Sequence, residues 1–209
     1  MMPAMDSQVR AARPEDPAAG LLYESARPYY DAYAGGEARA RRIVAAVYGR
    51  RGHNAGYDVC RVALLDGEIT GVLAGYPAEQ GEALAGRFLT LTALRIPAWR
   101  WPNLLRHLRA ARSIAPVPPS RSFYVDGLAV AEGFRRRGVA RALIEDAEVS
   151  ARSAGASGIA LDTGIENAAA RAFYEALGFE PRGERRVSDA AAAASIGGVG
   201  FVSYFRAVA

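Results

Sequence analysis

The sequence predicts an α/β (α+β) fold, a mixed sheet flanked by helices, and three observations carry that expectation. Two apolar runs are joined through Asp66-Gly67, the strongest short-range hairpin signal, which makes an antiparallel pair. From Ser122 onward the pattern reads strand, helix, strand, helix, strand, an order that implies at least one parallel pair with a right-handed crossover. The composition, 51% hydrophobic over 209 residues with 22 Gly and 11 Pro, is that of an ordinary globular chain able to fill one sizeable core. One domain is expected over residues 1–209, with a helical insertion at about 78–120.

Each element has a local reason. Val9 to Ala12 reads as a short opening strand, and Pro14-Glu15-Asp16 places proline and acids where a helix amino terminus favours them. That helix is expected to run to about Ala34, before Gly35-Gly36 breaks it. Ala40, Ile43, Val44 and Val47 then form the stripe of a second amphipathic helix, ending before Arg51-Gly52. Tyr57–Leu65 and Glu68–Tyr76 are the hairpin strands. In the insertion, Leu84, Phe88 and Leu91 mark one helix and Leu104, Leu105, Leu108 and Ala111 another, with Pro97 and Pro102 between them and Pro116-Val117-Pro118-Pro119 closing the segment. Trp99, Trp101 and His107 are read as core or rim of this segment, with a substrate lid as the sharper alternative. Strands follow at Ser122–Val130 and Gly158–Asp162, helices at Ala140–Ala154 and Asn167–Leu177, and closing strands at Phe179–Val187 and Val199–Val208. The alanine tract from Asp189 to Ser195 is a turn of helix or a mobile connection.

Charge and composition exclude several function classes. All 26 basic residues are arginine, and the formal net charge is +4 with 22 acids interspersed. The basic residues do not alternate with stacking aromatics, so no nucleic-acid partner is expected. The single cysteine, Cys60, lies in an apolar run and reads as a buried structural thiol; it rules out an intramolecular disulfide and a cysteine-rich metal site. Neither a secretion signal nor an apolar run of ~20 residues is present in the sequence, so no membrane association and a cytoplasmic location are expected.

The stretch GFRRRGVARALI, Gly133 to Ile144, sets three arginines and a glycine turn directly against an amphipathic helix. A helix start presents backbone N–H groups without intrahelical acceptors and a partial positive charge. Gly138 lets a phosphate approach the main chain, small Ala140 keeps the next position open, and the arginines add formal charge, so a diphosphate is the natural guest. The stretch lacks both the Gly-Lys-Ser/Thr ending of a nucleoside-triphosphate loop and the G-x-G-x-x-G dinucleotide fingerprint.

A longer pattern resembles the GNAT superfamily of acetyl-coenzyme A-dependent N-acetyltransferases. It comprises a strand ending Leu128-Ala129-Val130, then Arg135-Arg136-Arg137-Gly138-Val139-Ala140, which fits that family's Arg/Gln-x-x-Gly-x-Gly/Ala signature. Asn167 follows a later strand, and Ala172-Phe173-Tyr174-Glu175-Ala176-Leu177-Gly178-Phe179 closes the match. The resemblance implies a mostly antiparallel sheet with one splayed parallel pair. It implies that amides of Arg136, Gly138, Ala140 and Arg141, helped by the Arg135 side chain, bind the coenzyme pyrophosphate, and that backbone groups of Leu128 and Val130 pair with pantetheine. Asn167 would bond the pantetheine arm, serve as a helix cap, or do both. Tyr174 matches the position whose hydroxyl protonates the departing thiolate, with an aromatic packing role as the plainer reading. Asp126 is the candidate base or amine anchor, with the same face parity as Leu128 and Val130 by strict alternation, which a bulge would alter; a water relay is the alternative, and Glu132 a weaker carboxylate candidate. The co-substrate implied is acetyl-coenzyme A with no metal. The acceptor implied is a small-molecule amine or a protein amino group, and a homodimer is compatible with the sequence. The rival reading is a degenerate member that binds acyl-coenzyme A without catalysis.

Overall fold

The computed structural model describes residues 8–115 and 117–208; Met1 to Ser7, Pro116 and Ala209 lie outside the described residues. Among the described residues seven strands form one sheet in the order β1 (Gln8–Ala11), β2 (Cys60–Leu65), β3 (Glu68–Pro77), β4 (Ser122–Val130), β5 (Gly158–Gly164), β7 (Gly200–Ala207) and β6 (Glu180–Arg186). Every neighbouring pair is antiparallel except β4 and β5, which run parallel. The Asp66-Gly67 hairpin forms as expected, with both residues at positive φ (51° and 80°), the conformation such a turn demands.

Helices cover both faces. Helices α1 (Ala19–Ser25), α2 (Arg27–Ala34) and α3 (Glu37–Tyr48) share a core with Val62, Val72 and Ala74 of the sheet. Helices α6 (Val139–Ser153) and α7 (Ala168–Ala176) pack on the other face through Leu143, Ile144, Ala147 and Tyr174, against Leu73, Val125, Ile159 and Val202. Between β3 and β4 run α4 (Gly81–Thr92) and α5 (Trp101–Ser113), and α8 (Ala190–Ile196) precedes β7. The alanine tract is therefore helical, capped by the Asp189 carboxylate, which accepts from the Ala192 N–H at 2.8 Å.

Three expectations are corrected. The helix expected to run unbroken to Ala34 is two helices that divide at Ala26, whose φ of −142° leaves the helical region; Pro28, at the start of α2, has no N–H to continue the ladder from α1. The strand expected from Tyr57 begins at Cys60, because Tyr57–Val59 form a 3-10 turn. In α5 the buried residues are Leu104, His107 and Ala110, while Leu105 is half exposed, so the stripe is narrower than the apolar pattern suggested. His107 is completely buried, Trp99 is exposed, and Cys60 is buried as expected.

Candidate active site

Strands β4 and β5 pair only from Ser122–Gly158 to Val125–Leu161. Beyond Val125 the two strands part, and β4 from Asp126 to Val130 has β3 on one side and an open edge on the other. The Ala131 N–H donates to the Thr70 carbonyl of β3 at 2.8 Å. Alternation along an antiparallel strand then turns the backbone groups of Val130 and Leu128 toward the open edge. An extended ligand with amide groups can pair there as an added strand.

Below this fork a glycine turn opens α6. Gly138 caps α6 at φ 86°, a left-handed conformation suited to glycine, and a side chain there would meet open space within 4 Å. The first helical bond is Ala142 N–H to Gly138 carbonyl, at 3.0 Å. Among the described residues, the amides from Arg136 to Arg141 donate to no protein acceptor, and Arg136 itself sits at φ 63°. Arg135, Arg136, Arg137 and Arg141 are exposed around them. The Arg135 Nε donates to the Val130 carbonyl at 3.3 Å, which ties the turn to the end of β4. Unpaired amides, a helix dipole and formal positive charge thus converge where Arg136, Gly138, Ala140 and Arg141 were expected to act.

Asn167 is the cap of α7, accepting from the Ala170 N–H at 3.2 Å through Oδ1, so the capping role is realised and leaves the carboxamide nitrogen of this exposed residue outside the cap bond. Tyr174 is buried on the α6 side, ringed by Phe173, Phe179 and Tyr204 at centroid distances of 5.4–6.1 Å. Burial pushes its phenol up to about 12, which keeps it protonated at neutral pH.

Asp126 requires a correction. Strands β3 and β4 slip register between Ala74–Gly127 and Gly75–Val125, so Asp126 is the extra residue of a bulge. Strict alternation fails there: Leu128 and Val130 pack toward α6, whereas the Asp126 carboxylate faces the α1–α3 side. It accepts from Asn54 Nδ2 at 3.0 Å, and the nearby Tyr76 hydroxyl also favours its charged form. Gly127 beside it allows α1 to approach, since a side chain would strike Ser25 Oγ at 2.6 Å. Desolvation pushes the Asp126 carboxyl up to about 6, against the lowering effect of those two donors. Asp126 and Tyr174 therefore lie on opposite faces of the sheet, and Glu132 is exposed.

Asp162 is a residue that sequence reasoning missed. It accepts from the Ser203 hydroxyl at 2.5 Å and the Tyr124 hydroxyl at 3.2 Å, and desolvation raises its pKa. Only its position directly after the last apolar residues of β5 could have signalled it. Among the described residues no cluster of three or more histidine, cysteine, aspartate or glutamate side chains is arranged to hold a metal, and no helix is long and apolar enough to cross a membrane.

One forked parallel pair in the sheet, a turn with unpaired amides at the start of α6 and buried polar groups beside the fork are the features of this site. The chain belongs to the acetyltransferase (GNAT) family, whose sequence model matches residues 21–179. Its structure is similar to that of an acetyltransferase of 19% identity (TM-score 0.69, covering 97% of this chain and 100% of that one). It is also similar to an N-acetyltransferase from Staphylococcus aureus Mu50 at 17% identity (TM-score 0.60, covering 95% and 100%). A Drosophila melanogaster polyamine N-acetyltransferase is similar at 18% identity (TM-score 0.58, covering 97% and 100%). No match is found among curated protein sequences.

Proposed function

We propose that this protein is an N-acetyltransferase that moves the acetyl group of acetyl-coenzyme A directly to a primary amine. The observation that carries the reading is the run of unpaired amides from Arg136 to Arg141 at the foot of an open β4 edge. A diphosphate takes those amides, the pantetheine arm pairs with Leu128 and Val130, and the thioester then lies at the fork. Asn167 adds a donor to the arm. Asp126, ionised above about pH 6, receives a proton from the incoming ammonium directly or through one water. The free amine attacks the thioester carbonyl, the carbon–sulfur bond breaks, Tyr174, kept protonated by its raised pKa, gives its proton to the departing thiolate, and the second proton shed by the amine nitrogen returns through water to the Tyr174 phenolate. No metal enters this scheme.

The test is a thermal shift with acetyl-coenzyme A, followed by thiol release with an amine panel. Acetyl-coenzyme A is expected to raise the Tm of the wild type. Gly138→Glu, which puts a carboxylate into the anion site and strains φ 86°, is expected to abolish that rise. Equal stabilisation of the variant would remove the assigned site. Arg135→Ala is expected to weaken binding less, because the grip is mostly main-chain.

A further inference from the structure

Between Glu82 and Asp126 the chain holds seven arginines and no acid. Of the six large hydrophobic side chains that are exposed among the described residues, four fall within residues 94–105: Leu94 (85% exposed), Trp99 (80%), Trp101 (42%) and Leu105 (50%). The connection from α4 to α5 presents them. Two 3-10 turns, Ala93–Arg95 and Ala98–Arg100, are pinned by Ile96, which is buried in the core shared with α1–α3. The Trp101 indole N–H donates to the Ile96 carbonyl at 3.1 Å, which holds its ring against this connection. Trp101, Leu105, Arg109 and Arg112 then follow at i, i+4, i+8 and i+11, one stripe along α5 opposite the buried Leu104, His107 and Ala110.

A second observation concerns charge. Beside Trp99 a cleft of about 380 Å³ is lined by Arg39, Arg42 and Arg95 together with Ile43 and Pro97, and by no acid. Arg39 and Arg42 donate only to the carbonyls of Ala34 and Ala38, and none of the three guanidiniums forms an ion pair among the described residues. Glu37, the acid of α3, is already paired with Arg41 at 2.8 Å. The surface therefore combines projecting apolar side chains with positive charge that no internal partner neutralises.

We propose that this surface docks the protein on an anionic lipid bilayer, with Leu94, Trp99, Trp101 and Leu105 entering the boundary between headgroups and acyl chains and Arg39, Arg42 and Arg95 receiving lipid phosphates. An indole, apolar with a single N–H, suits that boundary, and a guanidinium matches phosphate oxygens. Leu94 and Trp99 stand clear of the surface, and a fluid interface closes around such projections with no matching pocket. A second copy of the same surface would set arginine against arginine, so charge disfavours a two-fold dimer here. The expectation of no membrane association rested on the lack of a spanning segment, which interfacial contact does not require. The surface belongs to the sheet face opposite α6, and docking there involves no acetyl transfer.

Trp99 and Trp101 are the only two tryptophans of the chain, so intrinsic fluorescence reports this surface and not the arginines of the α6 turn. The protein is titrated with vesicles of phosphatidylcholine and with vesicles in which phosphatidylglycerol replaces about one third of it. A blue shift and co-sedimentation are expected with the anionic vesicles, with binding tighter by about tenfold or more and weakened by salt. The double variants Leu94→Ser/Trp99→Ser and Arg42→Glu/Arg95→Glu alter exposed side chains only, so the fold is retained, and each is expected to lose that preference. No shift with anionic vesicles overturns the inference, and so does anionic-vesicle binding that both variants keep. An equal shift with inorganic phosphate alone also overturns it, since a free anion would then suffice. A shift that grows with protein concentration without vesicles, and is lost in Leu94→Ser/Trp99→Ser, assigns the surface to a second copy and overturns the lipid reading.

Discussion

Replacing Asp126 by asparagine is expected to make the protein more stable and less active, and the stability gain should depend on pH. The carboxyl sits at about 6 in the folded chain against an ordinary value of 3.8, mainly because the fork strips it of water. A carboxyl whose folded pKa lies above its unfolded one ionises more easily in the unfolded chain, so its ionisation costs stability. That cost is fully present above about pH 6, shrinks as pH falls, and is gone below about pH 4. The displacement from 3.8 to about 6 sets a ceiling of about 3 kcal/mol. Partial solvent contact screens the charge, and asparagine receives the Asn54 and Tyr76 donors less well than a carboxylate, so a net gain of about 1 kcal/mol is expected. For a chain of this length that is a Tm rise of about 2–4 °C. Differential scanning calorimetry of both proteins at pH 8 and pH 4.5 reads it. Turnover of the variant should fall by about 10²–10⁴. A variant that melts lower than the wild type at pH 8, or whose gain is the same at both pH values, would refute the assignment of Asp126 as a desolvated, ionised base.

Three further outcomes test the remaining parts of the site. Tyr174→Phe keeps the ring packing against Phe179 and Tyr204 but removes the proton donor, so kcat should fall by about 10²–10⁴ with coenzyme binding and Tm nearly unchanged; turnover within a factor of about three would leave Tyr174 a packing residue. Asn167→Asp retains the cap of α7, since both side chains cap well, but exchanges the amide donor for a charge; stability should hold while acetyl-coenzyme A affinity drops, and unchanged affinity would confine Asn167 to capping. Hydrogen exchange in the segment 78–115 should slow when a true acceptor binds, if α4 and α5 wall the acceptor side; protection nowhere in this segment would make it purely structural.

Much of this molecule was legible from local chemistry. The Asp66-Gly67 turn, the glycine before α6, the apolar stripe of α6 and the cap at Asn167 each depend on a few neighbouring residues, and their geometry follows from backbone sterics and orphan amides. The cofactor side of the site is of this kind, because an amide-lined turn at a helix start is a contiguous stretch of chain. The acceptor side is not. Whether Asp126 points with Leu128 or against it was decided by one slipped residue between β3 and β4, a matter of how two distant strands register. The significance of Asp162 depended on where β4 and β5 cease to pair, and that of Asn54 on a loop after α3 reaching a strand 72 residues away. The environment that raises the Asp126 pKa likewise comes from burial beneath helices and rings that no spacing along the chain can disclose. The sequence by itself determined a glycine turn with orphan amides at a helix start and the sheet that carries it; only the tertiary structure decided which carboxylates meet at the fork, because desolvation and charge pairing are properties of neighbours in space.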